Sequence, residues 1–258
     1  MKRGLEYEIH WPRRIVTIAE ATKYIDAVGY CMLFTVENVP LPSLHYHVTK
    51  RDRLAKRVWD KYSEMVWRWK DELPRRRRAF YGKYFRGCGT FISLKQLPNF
   101  LAMADAAVTP GDHGRFYAEG RIGENARAIW EALEKYGPLA TLELRSACKM
   151  DTKAGNVRFK RAIVELQRAL AAMHSGTEQE TGAWASGRYD LICRAFPKET
   201  AAARAISPEA ARRNLAAKFL ETRPSAEASQ LAKLFGWTKQ ETATALRNLI
   251  STTATTGS

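Results

Sequence analysis

Apolar residues recur along the chain with two periods, and the changes of period mark out its elements. Ala126, Ile129, Trp130, Leu133 and Tyr136 fall three or four apart, which puts them on one helix face, and Gly137-Pro138 stops that helix. Thr141 is placed to cap a second, short helix that ends near Cys148. Phe159, Ile163, Leu166, Leu170 and Met173 then step by four, three, four and three, the cleanest period in the chain. They predict a long helix over residues 156–173 with one apolar stripe. Residues 174–182 read as a turn. Over residues 184–196 the pattern changes to alternation, with Tyr189, Leu191 and Cys193 on one side and Arg188, Asp190, Ile192 and Arg194 on the other, which predicts a strand. Helix, short helix, long helix and hairpin is the order of a winged helix-turn-helix.

The order begins again at Ser207-Pro208-Glu209, where proline suits the first helical position. Helix one should reach Glu221. Ser225 caps helix two, which ends at Gly236. The capping box of Thr238 with Glu241 opens helix three, which ends near Ile250. Residues 251–258 hold only Ser, Thr, Ala and Gly; they read as a disordered tail that cannot build an apolar wing. Upstream, the capping box of Thr17 with Glu20 opens a helix that Gly29 ends. Residues 30–36 read as a buried strand, 39–42 as a loop, and 52–70 as a helix interrupted by Pro74. Residues 84–93 read as a turn leading into a short strand, and 94–107 as a helix with Pro98 in its first turn. Thr109-Pro-Gly-Asp-His-Gly114 is a loop and a domain boundary. The expectation is a mostly α protein with small β hairpins (α+β), built of tandem winged helix-turn-helix units. Residues 1–16 form an N-terminal extension and 17–110 a first winged-helix-like unit with a basic insertion. Residues 119–197 form a second winged helix, and 201–250 a third, truncated unit.

Composition narrows the class of partner. Apolar residues are 45 % and charged residues 27 %, ordinary globular values that exclude wholesale disorder. The formal net charge is +15, and such an excess attracts polyanions. Residues 50–95 carry fifteen Lys or Arg against five Asp or Glu, so two thirds of the excess lies in under a fifth of the chain. The longest dense apolar run, residues 29–36, is far short of a membrane span, and no signal peptide opens the chain, so a cytoplasmic protein without a membrane partner is expected. Cys31, Cys88, Cys148 and Cys193 form no C-x-x-C pair. His45 and His47 have no cysteine or carboxylate beside them, so no metal is expected. No phosphate-binding glycine loop occurs, which removes a nucleotide cofactor, and no G-x-S-x-G nucleophile elbow occurs. No cofactor is expected at all.

Three groups of residues are candidates for chemistry. Arg158, Lys160, Arg161 and Arg168 lie off the apolar stripe of the long helix, which in a winged helix enters a major groove. Arg75, Arg76, Arg77 and Arg78 follow one another and cannot all face one way, so at least two should be free for phosphate; a solvated turn accounts for them equally well. Trp59, Trp67 and Trp69 are interleaved with these cations, as in base-stacking surfaces, although tryptophans at this spacing are more often core. Asp26 sits in the apolar stretch Lys23-Tyr-Ile-Asp-Ala-Val-Gly-Tyr30, where a desolvated carboxylate can act as a general base or stabilise a sugar cation; an exposed helix-end Asp is the plainer reading.

These stretches resemble the AlkZ/YcaQ-type winged-helix DNA glycosylases, and most closely the shorter AlkZ-related proteins. Tyr24-Ile-Asp-Ala-Val28 resembles the catalytic Gln-x-Gln or Gln-x-Asp segment. Residues 119–144, with Tyr136-Gly-Pro-Leu139, are similar to the opening of the second winged helix. Arg161-Ala-Ile-Val-Glu-Leu166 looks like its recognition helix, and Arg188-Tyr-Asp-Leu-Ile-Cys-Arg194 with Phe196-Pro197 resembles its wing. Trp69-Lys-Asp-Glu-Leu-Pro74 and Tyr81-Gly-Lys-Tyr-Phe-Arg86 look like markers of the shorter group. The resemblance implies duplex DNA as partner and removal of alkylated purines, or unhooking of interstrand crosslinks, as activity. Asp26 and Tyr24 would occupy the catalytic positions and Arg188 would contact DNA from the wing. Tyr24 stands where the glycosylases carry their first Gln, so the resemblance implies a reduced activity. The alternatives are a non-catalytic winged-helix regulator of transcription and, further off, a protein-interaction module.

Overall fold

The computed structural model describes residues 11, 14–51, 59–179 and 185–255. Helix α1 (Ile18–Val28) leads through Gly29 into strand β1 (Tyr30–Met32), and the short helix α2 (Leu44–Thr49) follows a proline loop. Helix α3 (Lys61–Arg75), strand β2 (Ala79–Lys83), a 3-10 turn (Phe85–Gly87), strand β3 (Gly89–Ser93) and α4 (Leu97–Met103) come next. Then run α5 (Asp112–Ala118), α6 (Glu124–Tyr136), β4 (Leu139–Ala140), α7 (Thr141–Ala147), α8 (Lys153–Arg168), β5 (Ala172–Glu178) and β6 (Ser186–Leu191). The chain continues through α9 (Ile192–Ala195), α10 (Pro197–Ala203), α11 (Pro208–Thr222), α12 (Ala228–Phe235) and α13 (Lys239–Thr255). The protein is thus mostly helical with two small antiparallel sheets, of order β1-β3-β2 and β4-β6-β5.

The first sheet is buried on both faces. Alternate residues point opposite ways along each strand. Tyr30, Met32, Phe80 and Ile92 enter a core shared with α4, α6, α8 and α11. Cys31, Ala79, Tyr81 and Phe91 enter a second core with α1, α2 and α3. The larger core reaches from Tyr30 to Ala245, so the three expected units share one apolar interior. Tyr30 is fully buried and its hydroxyl donates to the Leu215 carbonyl at 2.8 Å, which ties α11 to β1.

Both predicted capping boxes form, at Thr17 with Glu20 and at Thr238 with Glu241, and Ser207 caps α11. Gly29 ends α1 with φ +79°, a conformation that favours glycine. Pro98 lies in the first turn of α4, and α6 spans its predicted residues.

Several expectations are corrected. The strand expected over residues 30–36 stops at Met32, because β3 ends at Gly89, whose carbonyl accepts the next bond from Leu33 at 2.8 Å. No strand is left to pair with residues 34–36. The helix expected from residue 52 starts at Lys61, with Asp60 as its cap, and carries Pro74 within its last turn instead of breaking there. Residues 52–58 lie outside the described residues. Part of the boundary loop is helix α5, which begins at Asp112 without a side-chain cap; the Asp112 carboxylate accepts instead from the Thr109 amide before the helix. Thr141 does not cap α7: its hydroxyl donates to the Gly187 carbonyl at 2.7 Å, while the Glu143 carboxylate accepts from Ala140. Ser225 does not cap α12, which begins after Glu227, and α13 runs past Ile250 to Thr255.

The largest correction concerns the long helix. It spans residues 153–168, and Leu170 and Met173, though fully buried, lie beyond it. Leu170 adopts φ +54°, its amide donates to Gln167, and the Ala171 amide donates to Leu166 at 3.0 Å. That pair of bonds is a Schellman stop with leucine in the position glycine usually takes. The chain then turns into β5, so residues 174–178, expected as a turn, are strand; Trp184 lies outside the described residues.

Leu166 is fully buried and Arg161 is exposed. Leu166→Ala should therefore cost about 2–5 kcal/mol in urea unfolding, and Arg161→Ala less than about 0.5 kcal/mol. The opposite ranking would mean that the faces of α8 are reversed.

Candidate nucleic-acid interface

Helix α8 is placed by backbone contact at its start and by a side-chain bond near its end. Thr152 caps it, accepting from the Gly155 amide at 3.0 Å. A Cβ on Gly155 would lie 2.6 Å from the Met150 carbonyl oxygen, so only glycine lets the helix begin against that turn. Phe159, Ala162, Ile163 and Leu166 face the core. Gln167 is buried too, and its carbonyl accepts from the Lys83 amide at 2.7 Å, joining α8 to the end of β2.

Away from the core lie Arg161 and Arg168, with Arg158 and Lys160 on the two flanks of the helix; all four are exposed and none is in an ion pair with a described residue. Lys160, Arg161 and Arg168 line an open cleft of about 750 Å³, walled by Ala104, Val164 and one carboxylate, Glu165. A fourth cation in this cleft, Arg121, was not a candidate from sequence. Its guanidinium lies 3.7 Å from the centre of the Phe116 ring, bonds the Ala104 carbonyl and pairs with Asp105 and Glu119. Arg121 is therefore held in place, whereas the α8 cations keep their donors for a ligand. A lone arginine between two glycines carried no pattern by which to find it.

The arginine run is the end of α3. The Arg77 amide donates to Pro74 and the Arg78 amide to Leu73, with Arg77 at φ +52°, a second Schellman stop. Cations at this end of a helix also complement its dipole. All four arginines are exposed, Arg76 pairs with Glu72, and the stem of Arg75 lies against Gly176 of β5. Arg188 is committed to structure: it donates to the Pro138 carbonyl and pairs with Glu178, each at 3.0 Å.

Tyr24 and Asp26 sit two positions apart on α1, on different faces of the helix. Tyr24 is fully buried, with its ring against Trp11 and His47, while Asp26 is half-buried. The two side chains do not converge on one water. His45 and His47 are buried in α2, and His45 Nε2 lies 3.2 Å from the Ser63 hydroxyl. Among the described residues no group of three or more His, Cys, Asp or Glu side chains could hold a metal ion, and no helix is long and apolar enough to cross a membrane.

A match to the AlkZ-related family covers residues 15–236. The chain belongs to the AlkZ-related family. No curated protein and no solved structure matches it.

In this AlkZ-related protein the two marker segments meet at a buried polar network. Trp69-Lys-Asp-Glu-Leu-Pro74 supplies Lys70 and Asp71 from α3, and Tyr81 comes from β2. Asp71 Oδ1 accepts from Lys70 Nζ and lies 2.6 Å from His174 Nε2 of β5. The His174 ring lies edge-on to Tyr81 and Tyr189. Burial holds His174 below the usual histidine range, although Asp71 pulls the other way. Burial alone would raise Asp71, but the bonds from His174 and Lys70 outweigh it and hold the carboxyl low. The pair is a neutral imidazole donating to a carboxylate, and it fastens α3 to β5.

Burial, with Arg51 nearby, also lowers His45, and burial with Lys50 pushes His47 down to about 4. A group with a lowered folded pKa contributes stability that is complete above its unfolded value and is lost as pH falls. The urea midpoint should be flat from pH 8 to 7 and fall from about pH 6.5 as the unfolded-state histidines take protons. His174→Gln, which keeps a donor for Asp71 and cannot titrate, should remove part of the fall. A midpoint constant from pH 7 to 4.5 would show that these histidines titrate normally in the folded protein.

Proposed function

We propose that this AlkZ-related protein binds duplex DNA through α8, as a tandem winged-helix protein of alkylation-damage repair with weak or absent glycosylase activity. The observation that carries the reading is the set of four exposed cations on α8, none in an ion pair with a described residue, three of them lining one cleft. The order α6, β4, α7, α8, β5, β6, with β6 between β4 and β5, supports a winged helix over residues 119–197, whose third helix enters the major groove. The same reading makes 17–110 the first unit and 201–250 the third. The stem of Arg75 lies against Gly176 of β5, and in this reading Arg75, Arg76, Arg77 and Arg78 contribute phosphate contacts at the flank of the wing.

Weak catalysis follows from α1. Hydrolysis of an N-glycosidic bond forms a bond from water oxygen to the anomeric carbon, breaks the bond to the base, and passes one water proton to a base. An N7-alkylated purine is cationic and leaves as a neutral molecule, so a single carboxylate suffices. In this reading Asp26 is that carboxylate, and Tyr24, inside the core, gives it no help in holding the water. The burial of Tyr24 equally favours a second reading, a non-catalytic DNA-binding regulator.

Fluorescence anisotropy with a duplex at several salt concentrations tests the binding. Affinity should fall steeply with salt, with a log–log slope of about −0.9 per neutralised phosphate. Replacing Arg158, Lys160, Arg161 and Arg168 by Ala should flatten that slope by about 2–3, more than the same change at residues 75–78. An unchanged slope in the α8 variant would place the phosphate contacts elsewhere.

Incubation with duplex bearing N7-methylguanine, scored for abasic sites, tests the chemistry. Excision should be slow or absent, and any that occurs should vanish in Asp26→Asn and survive Tyr24→Phe. Excision at the same rate without the Asp26 carboxylate overturns its role. Tighter binding to one intact sequence than to the lesion duplex favours the regulator.

A further inference from the structure

We propose that Trp59 and Trp67 form a stacking platform for an unpaired nucleobase, on the face of the protein built by α3. The inference rests on the nucleic-acid reading above but uses other residues than α8. Three tryptophans lie close together in sequence, and they part company in the fold. Trp69 is core at 5 % exposure, whereas Trp59 and Trp67 are 52 % and 43 % exposed. Large aromatic side chains left this open usually mark a binding surface.

The rings are already ordered. Trp59 Nε1 donates to Glu64 at 2.7 Å, so the polar edge of the indole is satisfied within the protein and its faces are left for a ligand. Trp59 and Trp67 meet edge to face at 6.1 Å, and Phe34 stacks on Trp67 at 6.3 Å and lies 6.5 Å from Trp59. Lys70 Nζ sits 4.3 Å from the centre of the Trp67 ring. Trp59 has no cation over its ring among the described residues, so it offers the open face and Trp67 backs it. A ring held by neighbours and a hydrogen bond loses little freedom on stacking, which is where preorganisation raises affinity.

The chemistry around the rings selects the occupant. Two large exposed rings adjoin here, with Glu64 on the Trp59 indole nitrogen, Lys70 over the Trp67 ring, and Arg68 following Trp67 along α3. Arg68 is exposed and makes no ion pair with a described residue. Flat aromatic faces beside a free guanidinium match a base carrying a phosphate. A paired base in a duplex hides its faces in the stack, so the platform takes a base in a single strand, a gap or an extruded position. The lysine and arginine excess of residues 50–95 adds attraction for the same polyanion.

The test uses the full chain and three labelled 15-mers: single-stranded oligothymidylate, a single strand of abasic residues with the same phosphates, and a duplex. Trp59→Ala and Trp67→Ala should each weaken the thymidylate strand by about five- to hundredfold and leave the abasic strand and the duplex within about twofold. Trp59→Phe should restore most of the loss. Equal weakening of the thymidylate and abasic strands would assign these residues to phosphate contact and overturn stacking. Unchanged affinity for all three also overturns it. If the wild-type chain sediments as a dimer and Trp59→Ala as a monomer, with thymidylate binding intact, the platform is a surface for a second copy. Failure of the α8 reading is distinguishable, because it appears in duplex binding alone. Both rings are exposed, so melting temperatures of the variants should stay within a few degrees of wild type; should Trp67→Ala unfold, Trp59→Ala decides.

Discussion

The β1-β3-β2 sheet has no solvated face, and this constrains everything packed around it. A strand with one wet face is held in register by its apolar pattern, because a slip of one residue turns that pattern outward. Here a slip would exchange Tyr30, Met32, Phe80 and Ile92 for Cys31, Ala79, Tyr81 and Phe91, and both sets are suited to burial. Hydrophobicity alone leaves the register open. Specific shape and polar contacts close it. The Tyr30 hydroxyl has its acceptor only on the α11 side, at Leu215. On the other side, a Cβ on Gly89 would lie 2.6 Å from the Tyr81 hydroxyl, so the tyrosine ring, opposite Phe91, reaches along the sheet to a position that glycine leaves open. Thr90 accepts from the Phe85 amide and pins the turn between β2 and β3.

The same sheet determines how α8 is presented. Its last turn is bound to β2 through Gln167 and Lys83, and the strand that follows it is bound to α3 through His174 and Asp71. The cations of α8 are therefore held in place relative to β2 and α3. Burying a carboxylate, an ammonium and an imidazole together is weak support for stability, since desolvation offsets most of the attraction. What the network supplies is position: Asp71 satisfies Lys70 and His174 at once, and only one docking of β5 on α3 permits both. Removing one partner leaves the others buried without their bonds, which costs more than the pair contributes.

Much of the helical frame was legible because its signals are local. A Thr and a Glu three residues apart, or a Ser before a Pro, act through bonds within one turn, and these caps formed as read. Helix ends were less legible. Arg77, Asp105, Lys149 and Leu170 all adopt positive φ just past helices, in a position where glycine is the usual mark. A leucine there is an unfavoured choice that tertiary burial enforces, so the four-three period of α8 seemed to run on through Leu170 and Met173. Strand β2 was missed for a different reason. Both its faces are buried, so Ala79-Phe80-Tyr81 shows no alternation. The tryptophans show the limit of spacing as a guide. Trp67 and Trp69 are two apart and so point to different sides of α3, and the expectation of core holds for Trp69 alone of the three.

The site was legible in its charges and hidden in its partners. A count of cations cannot tell those that hold the fold from those that face a ligand. In the fold, Arg121, Arg145, Arg188 and Arg194 donate to backbone carbonyls, and all but Arg145 also meet a carboxylate. Planar guanidinium groups suit that work because one side chain can satisfy several acceptors at fixed angles. Such residues add to the net charge and offer little to a polyanion. Arg158, Lys160, Arg161 and Arg168 differ in having no acceptor among the described residues; Arg161 and Arg168 lie opposite the core-facing stripe of α8, and Arg158 and Lys160 on its two flanks. Arg158 and Arg161, three residues apart, repel each other at a cost of a few tenths of a kcal/mol. The carboxylate of α8 that lies among these cations, Glu165, accepts from the Gly123 amide at 2.9 Å and forms no ion pair with a described residue, whereas on α6 Glu131 pairs with Arg127 four residues away. The charge of α8 is thus left for a ligand to meet, and on the proposed reading a line of phosphates meets it.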